Sequence, residues 1–486
     1  MSNIKNAIES VILAGHTFVP EKRLREVLKI GANAPIAGMD QLIRSGEVIV
    51  ASKGQKYYFS TPEVARNEQT IADCVKKITS APIKKIPRTE IEKAIVEFDK
   101  GGTLDPVQRD AIIKAVNSPF FILTGGPGTG KTYTLNGINY VLRKVFPGIK
   151  IAYTAPTGKA ARRITESTGN PAITLHKKIG LWKKDADTKF VNEDVLIVDE
   201  SSMLDNEVAA AALKSIIAGN RIILVGDVDQ LPSVGTGAVL RDLIESRIIP
   251  TTKLLKTFRQ QGESLILDNM KNIRDGICKL ESQKDFIITR PSETRYSNVD
   301  FLLNSFLHQV DRFGVDNVAL LTPYRKRQYE TSSEAMNIII QKKINPVGKG
   351  VDYNGNVYRL RDRVMQLENR QECANGDVGT VVDIGAKGIT VQYVDGCVDY
   401  SIGELRQITL AYAMSVHKSQ GSEYKAVISC LLNEHKMMLQ RNLLYTAVTR
   451  AKEEFSILAE DDALRTAIMT EASSKRITML QERLKR

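Results

Sequence analysis

Hydrophobic positions along the chain follow two rhythms. Short, mainly apolar runs alternate with stretches in which apolar residues recur every three or four positions. The first set of runs is Phe120-Phe121-Ile122-Leu123, Ile149-Lys150-Ile151-Ala152, Val195-Leu196-Ile197-Val198 and Ile222-Ile223-Leu224-Val225. The second is Val318-Ala319-Leu320-Leu321, Ala426-Val427-Ile428 and Phe455-Ser456-Ile457-Leu458. Such runs between helical stretches predict parallel strands with helices on both faces. Two sets predict two α/β domains, with a ligand expected in the cleft between them. From Val378 to Tyr400 the pattern shifts to short β-runs with turns at Gly385 to Gly388 and Asp395-Gly396. That change predicts a small β-barrel inserted into the second domain.

The first sixty residues read as a separate module. Ile4, Ala7, Ile8, Val11 and Ile12 predict a helix over Ile4–Leu13, and further helices are predicted over Glu21–Leu28 and Pro35–Ile43. Val48-Ile49-Val50, a Lys53-Gly54 turn and Tyr57-Tyr58-Phe59 predict a hairpin. Three helices and then a hairpin is the order of a winged helix. It suits a nucleic-acid or partner contact, or equally a packing domain, since the third helix ends on a single cation, Arg44. A polar helix over Pro62–Ile78 leads to a two-proline segment, Ser80 to Pro87, which predicts a linker. Another helix covers Thr89–Phe98. Asp105 is placed to cap the next one, with Pro106 in its first turn. There is no internal repeat and no low-complexity tract.

Composition narrows the class. A chain of 486 residues can build several cores. No apolar run approaches the ~18 residues that span a bilayer, and the N-terminus lacks the apolar stretch of a signal peptide. The five cysteines (Cys74, Cys278, Cys373, Cys397 and Cys430) are scattered with no C-x-x-C pair, which fits a reducing cytoplasm and argues against zinc or iron–sulfur sites. The net charge of +12 points to a polyanionic partner, nucleic acid first, although a solvated basic surface would give the same number.

The chemistry begins at Thr124. Gly125-Gly126-Pro127-Gly128-Thr129-Gly130-Lys131-Thr132, after an apolar run and before a helical stretch opening at Tyr133, fits a Walker A phosphate loop. Glycines let backbone N–H groups face phosphate oxygens, and the helix adds its positive end. Lys131 is expected on the β- and γ-phosphates, and the Thr132 hydroxyl on Mg²⁺. Val195–Val198 then delivers Asp199 and Glu200 at a strand tip. Alone these would read as solvated acids. After a Walker A loop they read as a Mg²⁺ ligand, Asp199, and the base for an attacking water, Glu200. The next strand ends in Gly226-Asp227 and leads to Gln230, whose amide suits the γ-phosphate or the water. Arg259 and Arg450 offer guanidinium groups for charge developing on a transferring phosphoryl group.

Taken together, these stretches resemble a superfamily 1B DNA helicase of the RecD-like group, over roughly Leu104 to Leu458. Gln108 fits the Q motif. Ala155 to Arg162 resembles motif Ia, and Thr174-Leu175-His176 motif Ib. Asp199 to Met203 is similar to motif II, and Gly226 to Pro232 to motif III. Phe258-Arg259-Gln260 resembles motif IV, Ser415 to Glu423 motif V, and Tyr445 to Arg450 motif VI. Arg363 to Gln366 and Asn375 to Gly379 fit the pattern that leads into an SH3-like insertion.

The resemblance implies ATP and Mg²⁺ as cofactors. It places Gln108, the loop from Gly125 to Tyr133, Phe258, Arg259, Glu423 and Arg450 around ATP, with Phe258 stacking on adenine. It places Pro156, Thr157, Lys159, Thr174, His176, Asn375, His417 and Ser419 along a single strand of DNA, where hydroxyl, ammonium and imidazole donors would hold phosphates of any sequence. Without that context, His176 and His417 would read as capping or core histidines. A short duplex-splitting pin is implied at about 181–193, with Trp182.

The expected architecture is two RecA-like parallel-sheet domains. The divisions are a winged-helix-like module at 1–60, a helical linker at 61–100, domain 1A at 101–262, and domain 2A at 263–486 with the SH3-like insertion at about 347–408. The N-terminal module is shorter than in large family members, and there is no nuclease cluster of spaced acids. The expected activity is ATP-dependent 5′→3′ movement on single-stranded DNA with unwinding at single–double-strand junctions. Two alternatives share the fold: a translocase or loading factor without strong unwinding, and an RNA helicase. The resemblance further implies a monomeric motor without a membrane, in the cytoplasm of a bacterial or phage-infected cell, with a replication or recombination partner available to the N-terminal module.

Overall fold

In a computed structural model, residues 2–31, 34–181, 188–258, 264–370, 372–471 and 476–485 are described. The chain divides into two compact units. One comprises Met1–Pro156, Ala161–Arg259 and Ser473–Arg486, and the other Thr157–Ala160 and Gln260–Ala472.

The first unit holds a six-stranded, wholly parallel sheet. Its order is Ala172–Thr174, Ile151–Ala155, Val195–Val198, Arg221–Gly226, Phe120–Gly125, Thr251–Leu254. The apolar runs of the sequence form its central strands, and Phe120–Gly125, Val195–Val198 and Arg221–Gly226 are buried at every residue. A strand covered on both faces has no reason to alternate polar and apolar positions.

Ahead of this sheet lie helices Ser2–Ile12, Glu21–Leu28 and Met39–Arg44 and the antiparallel strands Ile49–Lys53 and Lys56–Ser60. The short strand Val19–Pro20 adds to that hairpin, pairing Val19 with Phe59. Ile4, Ile8, Val11, Leu24, Leu42 and Phe59 close a core of their own. The third helix starts later than its apolar pattern predicts. Gly38 stands before it at φ 89°, a conformation that cannot continue a helix backward toward Pro35.

The expected linker is anchored. Ile86 is buried, its N–H donates to Asn117 Oδ1 at 2.9 Å, and its carbonyl accepts from Asn117 Nδ2 at 2.9 Å. Two prolines exclude regular structure there but do not prevent docking. At the far end of the chain, helix Leu480–Lys485 packs Leu480 and Leu484 into the core formed by Ile71, Val75 and Ile78 of helix Pro62–Ser80. Sequence reading had assigned this segment to the second domain.

The second unit carries a five-stranded parallel sheet in the order Phe286–Thr289, Ala451–Ala459, Tyr424–Leu431, Val318–Thr322, Ala413–Ser415. Between its strands the chain forms a hairpin, Gly350–Tyr353 with Asn356–Arg359, and a five-stranded antiparallel sheet. That second sheet runs Gly396–Ser401, Gly388–Tyr393, Val378–Gly385, Arg363–Gln366, Ile408–Leu410. Among the described residues no helix is long and apolar enough to cross a membrane.

One buried acid ties the chain ends together. Glu68 is fully buried and accepts from Thr17 Oγ1 at 2.7 Å, from the Met479 N–H at 3.0 Å and from Arg483 Nε at 3.2 Å. Burial outweighs these donors and pushes its carboxyl up to about 7. A folded pKa above the unfolded value favours folding below about pH 4.5, and that stabilisation is lost as pH rises through 7. Between pH 5 and pH 8 the native protein is therefore expected to lose on the order of 2 kcal/mol more stability than Glu68→Gln, read from denaturant unfolding at each pH.

Candidate active site

The phosphate loop sits where strand Phe120–Gly125 meets helix Lys131–Val145. Gly128 and Gly130 take φ 73° and 80°, which turns the backbone into a cradle. Gly125 is packed so closely that a Cβ would lie 2.8 Å from the Leu254 carbonyl and 2.7 Å from Thr129 Oγ1. Thr129 is buried and donates to the Gly126 carbonyl at 2.8 Å. The Lys131 ammonium folds back over the loop onto the carbonyls of Gly125 at 2.7 Å and Gly126 at 3.0 Å. Pro127 is half-buried, and Thr132 and Tyr133 are exposed on the first helical turn.

A second group flanks the loop. Asp105 caps helix Pro106–Val116, accepting from the Val107 N–H at 2.8 Å, and Gln108 Oε1 accepts from the Asp105 N–H at 3.0 Å. The other end of the Gln108 amide donates to the Thr129 carbonyl at 3.3 Å. Both ends being bound fixes the amide against Gly130, where a Cβ would fall 2.3 Å from Nε2 and 3.6 Å from the Phe258 ring. The Phe258 N–H donates to the Gly128 carbonyl at 2.7 Å, and its ring is partly exposed with Lys256 Nζ 5.1 Å from the centroid. An amide edge and an open aromatic face thus stand together beside the cradle. Tyr133 bonds Thr103 Oγ1 at 2.9 Å. Asp99, which sequence reading missed, lies beneath, accepting from the Thr103 and Leu104 N–H groups and from Arg109 Nη2 at 2.6 Å. Its only local signal was an acid four residues before a threonine across Gly101-Gly102.

The carboxylates come from the neighbouring strands. Asp199 Oδ1 accepts from the Glu200 N–H at 2.8 Å, and Glu200 takes φ 50°, strain of the kind that gathers at functional sites. Burial, and then Glu200 beside it, push the Asp199 carboxyl well above the usual range, with Lys131 and Arg163 pulling the other way. Asp227 is fully buried and shifted upward by burial. It accepts from the Asp229 N–H at 3.1 Å and from Gln230 Nε2 at 3.3 Å, which sets the direction of the Gln230 amide. Asp227 was read only as part of a motif, though its burial at the end of a strand marks it as clearly as Asp199.

These donors suit a magnesium ion arriving with nucleotide phosphates. The Asp199 carboxylate and the Thr132 hydroxyl are hard oxygen ligands. Among the described residues no group of three His, Cys, Asp or Glu side chains could hold a metal unaided.

The remaining predicted residues fall as follows. Thr174 Oγ1 caps helix Leu175–Ile179, accepting from the Lys177 N–H at 3.3 Å, and burial lowers the pKa of His176 in its first turn. Pro156 and Thr157 precede helix Gly158–Thr168, with Lys159 in its first turn and Thr157 Oγ1 accepting from the Ala160 N–H at 3.2 Å. In the second unit, Lys418 Nζ donates to Asn375 Oδ1 at 2.8 Å. His417 is half-buried, whereas Ser419 is buried and its hydroxyl donates to the Val416 carbonyl at 2.7 Å. Arg450 is buried, with Nη1 on the Ser422 carbonyl at 3.0 Å and Nη2 on Thr449 Oγ1 at 2.9 Å. Glu423 pairs with Lys452 at 3.3 Å. Arg259, Gln260 and, of the expected pin, residues 182–187 lie outside the described residues.

A phosphate loop, a strand-tip carboxylate pair and a glutamine at one sheet edge define a P-loop enzyme that uses ATP. Family models match an AAA domain over residues 103–287 and a UvrD-like helicase C-terminal domain over 410–458. The chain is 29% identical over 489 residues to the ATP-dependent RecD2 DNA helicase of Deinococcus radiodurans, covering 96% of this chain and 66% of that one. It is 30% identical to the RecD subunit of the RecBCD enzyme of Haemophilus influenzae, covering 74% of this chain and 70% of that one. The chain belongs to the RecD family of DNA helicases. The fold is also similar to a Pif1 helicase from Candida albicans, at 22% identity and a TM-score of 0.47 over 74% of this chain and 95% of that one.

Gly130→Ala tests the cradle. A Cβ at this position meets Gln108 and adds roughly 1–2 kcal/mol of left-handed strain. Affinity for a fluorescent ATP analogue is expected to fall at least about tenfold while the unfolding transition stays cooperative.

Proposed function

We propose that the protein is an ATP-dependent DNA helicase that moves 5′→3′ on single-stranded DNA and opens duplex at single–double-strand junctions. The observation that carries most weight is the meeting of Lys131, Asp199, Glu200 and Gln230 at one edge of one sheet, in a chain of the RecD family. In this reading Lys131 moves from the loop carbonyls onto the β- and γ-phosphates. Asp199 and Thr132 hold Mg²⁺. Glu200 takes the proton of the attacking water, and Gln230 orients that water. Gln108, Tyr133 and Phe258 frame the base, and Glu423 belongs to the same nucleotide-responsive set. Arg450 and Arg259 serve the charge of the transition state, so they act on turnover more than on binding.

Pro156, Thr157, Lys159, Thr174, His176, Asn375 and His417 contact the phosphates of the strand, with Ser419 holding the turn that carries His417. The first sixty residues form a winged-helix-like module that recruits a replication or recombination protein. Residues at about 347–408 form an SH3-like insertion, 101–262 a RecA-like motor domain, and 263 to about 471 its second half. The protein works as a monomeric motor in the cytoplasm.

Lys131→Ala is expected to abolish ATP hydrolysis while leaving the unfolding transition unchanged. Arg450→Ala is expected to lower kcat by roughly a hundredfold or more while changing nucleotide affinity by less than about threefold. Single-stranded DNA should stimulate the native enzyme well beyond single-stranded RNA of equal length. Equal stimulation would favour the RNA reading.

A further inference from the structure

The chain between Pro232 and Ala238 has no regular structure, yet apart from the exposed Val234 its residues are half-buried to buried. Carbonyl groups in such a loop need donors. They receive them from a residue more than two hundred positions downstream. Arg476 Nη2 donates to the Ser233 carbonyl at 2.7 Å. Its Nη1 donates to the Gly237 carbonyl at 2.7 Å, the Gly235 carbonyl at 2.9 Å and Ser233 Oγ at 3.2 Å. Burial lowers its pKa to about 10, so the fork is still charged at neutral pH.

The guanidinium is itself held. Gly15, at φ +98°, forms its floor so closely that a Cβ there would lie 2.6 Å from the Arg476 Cζ. The Gly15 carbonyl accepts from the Gly237 N–H at 2.9 Å. The backbone beside Arg476 is pinned as well. The Ile477 N–H donates to His16 Nδ1 at 3.0 Å, the Ile477 carbonyl accepts from the Thr17 N–H at 3.0 Å, and the Arg476 carbonyl accepts from Arg241 Nη2 at 3.2 Å. The loop's other anchor is the Thr236 carbonyl, which accepts from the Asn206 N–H at 2.8 Å, three residues after the turn that follows Asp199 and Glu200. The loop is therefore tied both to Arg476 and to the helix Asn206–Lys214 that follows the Asp199–Glu200 turn, and it starts two residues after Gln230.

We propose that Arg476 is a positioning residue for ATP hydrolysis: by clamping residues 233–237 it fixes the backbone that presents Gln230. This rests on the reading of Gln230 as the residue that orients the attacking water. A fork with several donors in fixed geometry is required, because the acceptors converge from three residues. The clamp acts on the hydrolysis step and not on the phosphate cradle, so it should appear in kcat and not in nucleotide binding.

The test uses the full chain, saturating single-stranded DNA and four variants: Arg476→Gln, Arg476→Lys, Gln230→Ala and Arg483→Gln. Arg483 bonds Glu68 and Gln69 in the same C-terminal segment but not the loop, so it controls for loss of segment stability. Each is measured for kcat and KM for ATP, affinity for a fluorescent ADP analogue, and melting temperature. Arg476→Gln is expected to lose roughly ten- to a hundredfold in kcat, with KM and ADP affinity within about threefold of native. Arg476→Lys should recover only part of the loss, and Arg483→Gln should melt earlier with native kcat. Native kcat in Arg476→Gln alongside a crippled Gln230→Ala overturns the proposal, as does an equal loss of kcat in Arg483→Gln. Native turnover in Gln230→Ala overturns the reading of the loop, and the proposal with it.

Discussion

The first unit depends on register within a parallel sheet. Leu123 pairs with Val225 and Val198 with Leu224, so Phe120–Gly125, Val195–Val198 and Arg221–Gly226 end together. Gly125, Asp199 and Asp227 all lie within two residues of those pairs. Parallel strands point their C-terminal ends to one edge, and ligands of open α/β sheets bind there. The apolar runs that bury the sheet thus also deliver the phosphate loop and the acids to one place. A slip of one residue in any of these strands would carry the group at its tip about 3.3 Å out of line with the other two.

Within each unit, several buried polar side chains are held by bonds that also set direction. Gln108 is bound at both ends of its amide, and Gln230 is aimed by Asp227. Arg450 rests on the Ser422 carbonyl inside the second unit, so the turn from Ser415 to Glu423 and the helix Arg441–Thr449 share one guanidinium. Such groups are expensive to bury unpaired, and that expense makes their orientation specific.

Local features were legible in the sequence. The loop glycines, the Asp105 cap with Pro106 and the strands ending in Asp199 and Gly226 carry their cause within a few residues. Contacts across long separations were not. Nothing near Pro87 foretells that Ile86 will meet Asn117, and nothing near Arg476 marks it as the donor for Ser233 to Gly237. Asp99 has no mark in the sequence, and Asp227 no role of its own beyond its motif, because a lone acid reads as solvated until its burial is known. Residues 480–485 were placed with the nearer domain in sequence, although their apolar face, Leu480 and Leu484, belongs to the core under helix Pro62–Ser80.

The central claim is directional movement driven by ATP. The most direct measurement follows strand separation, with ATP and Mg²⁺, on two partial duplexes that differ only in whether the single-stranded tail is 5′ or 3′. The account predicts separation of the 5′-tailed duplex and an intact 3′-tailed one. Separation of the 3′-tailed duplex alone, or of neither while ATP is hydrolysed, would contradict it.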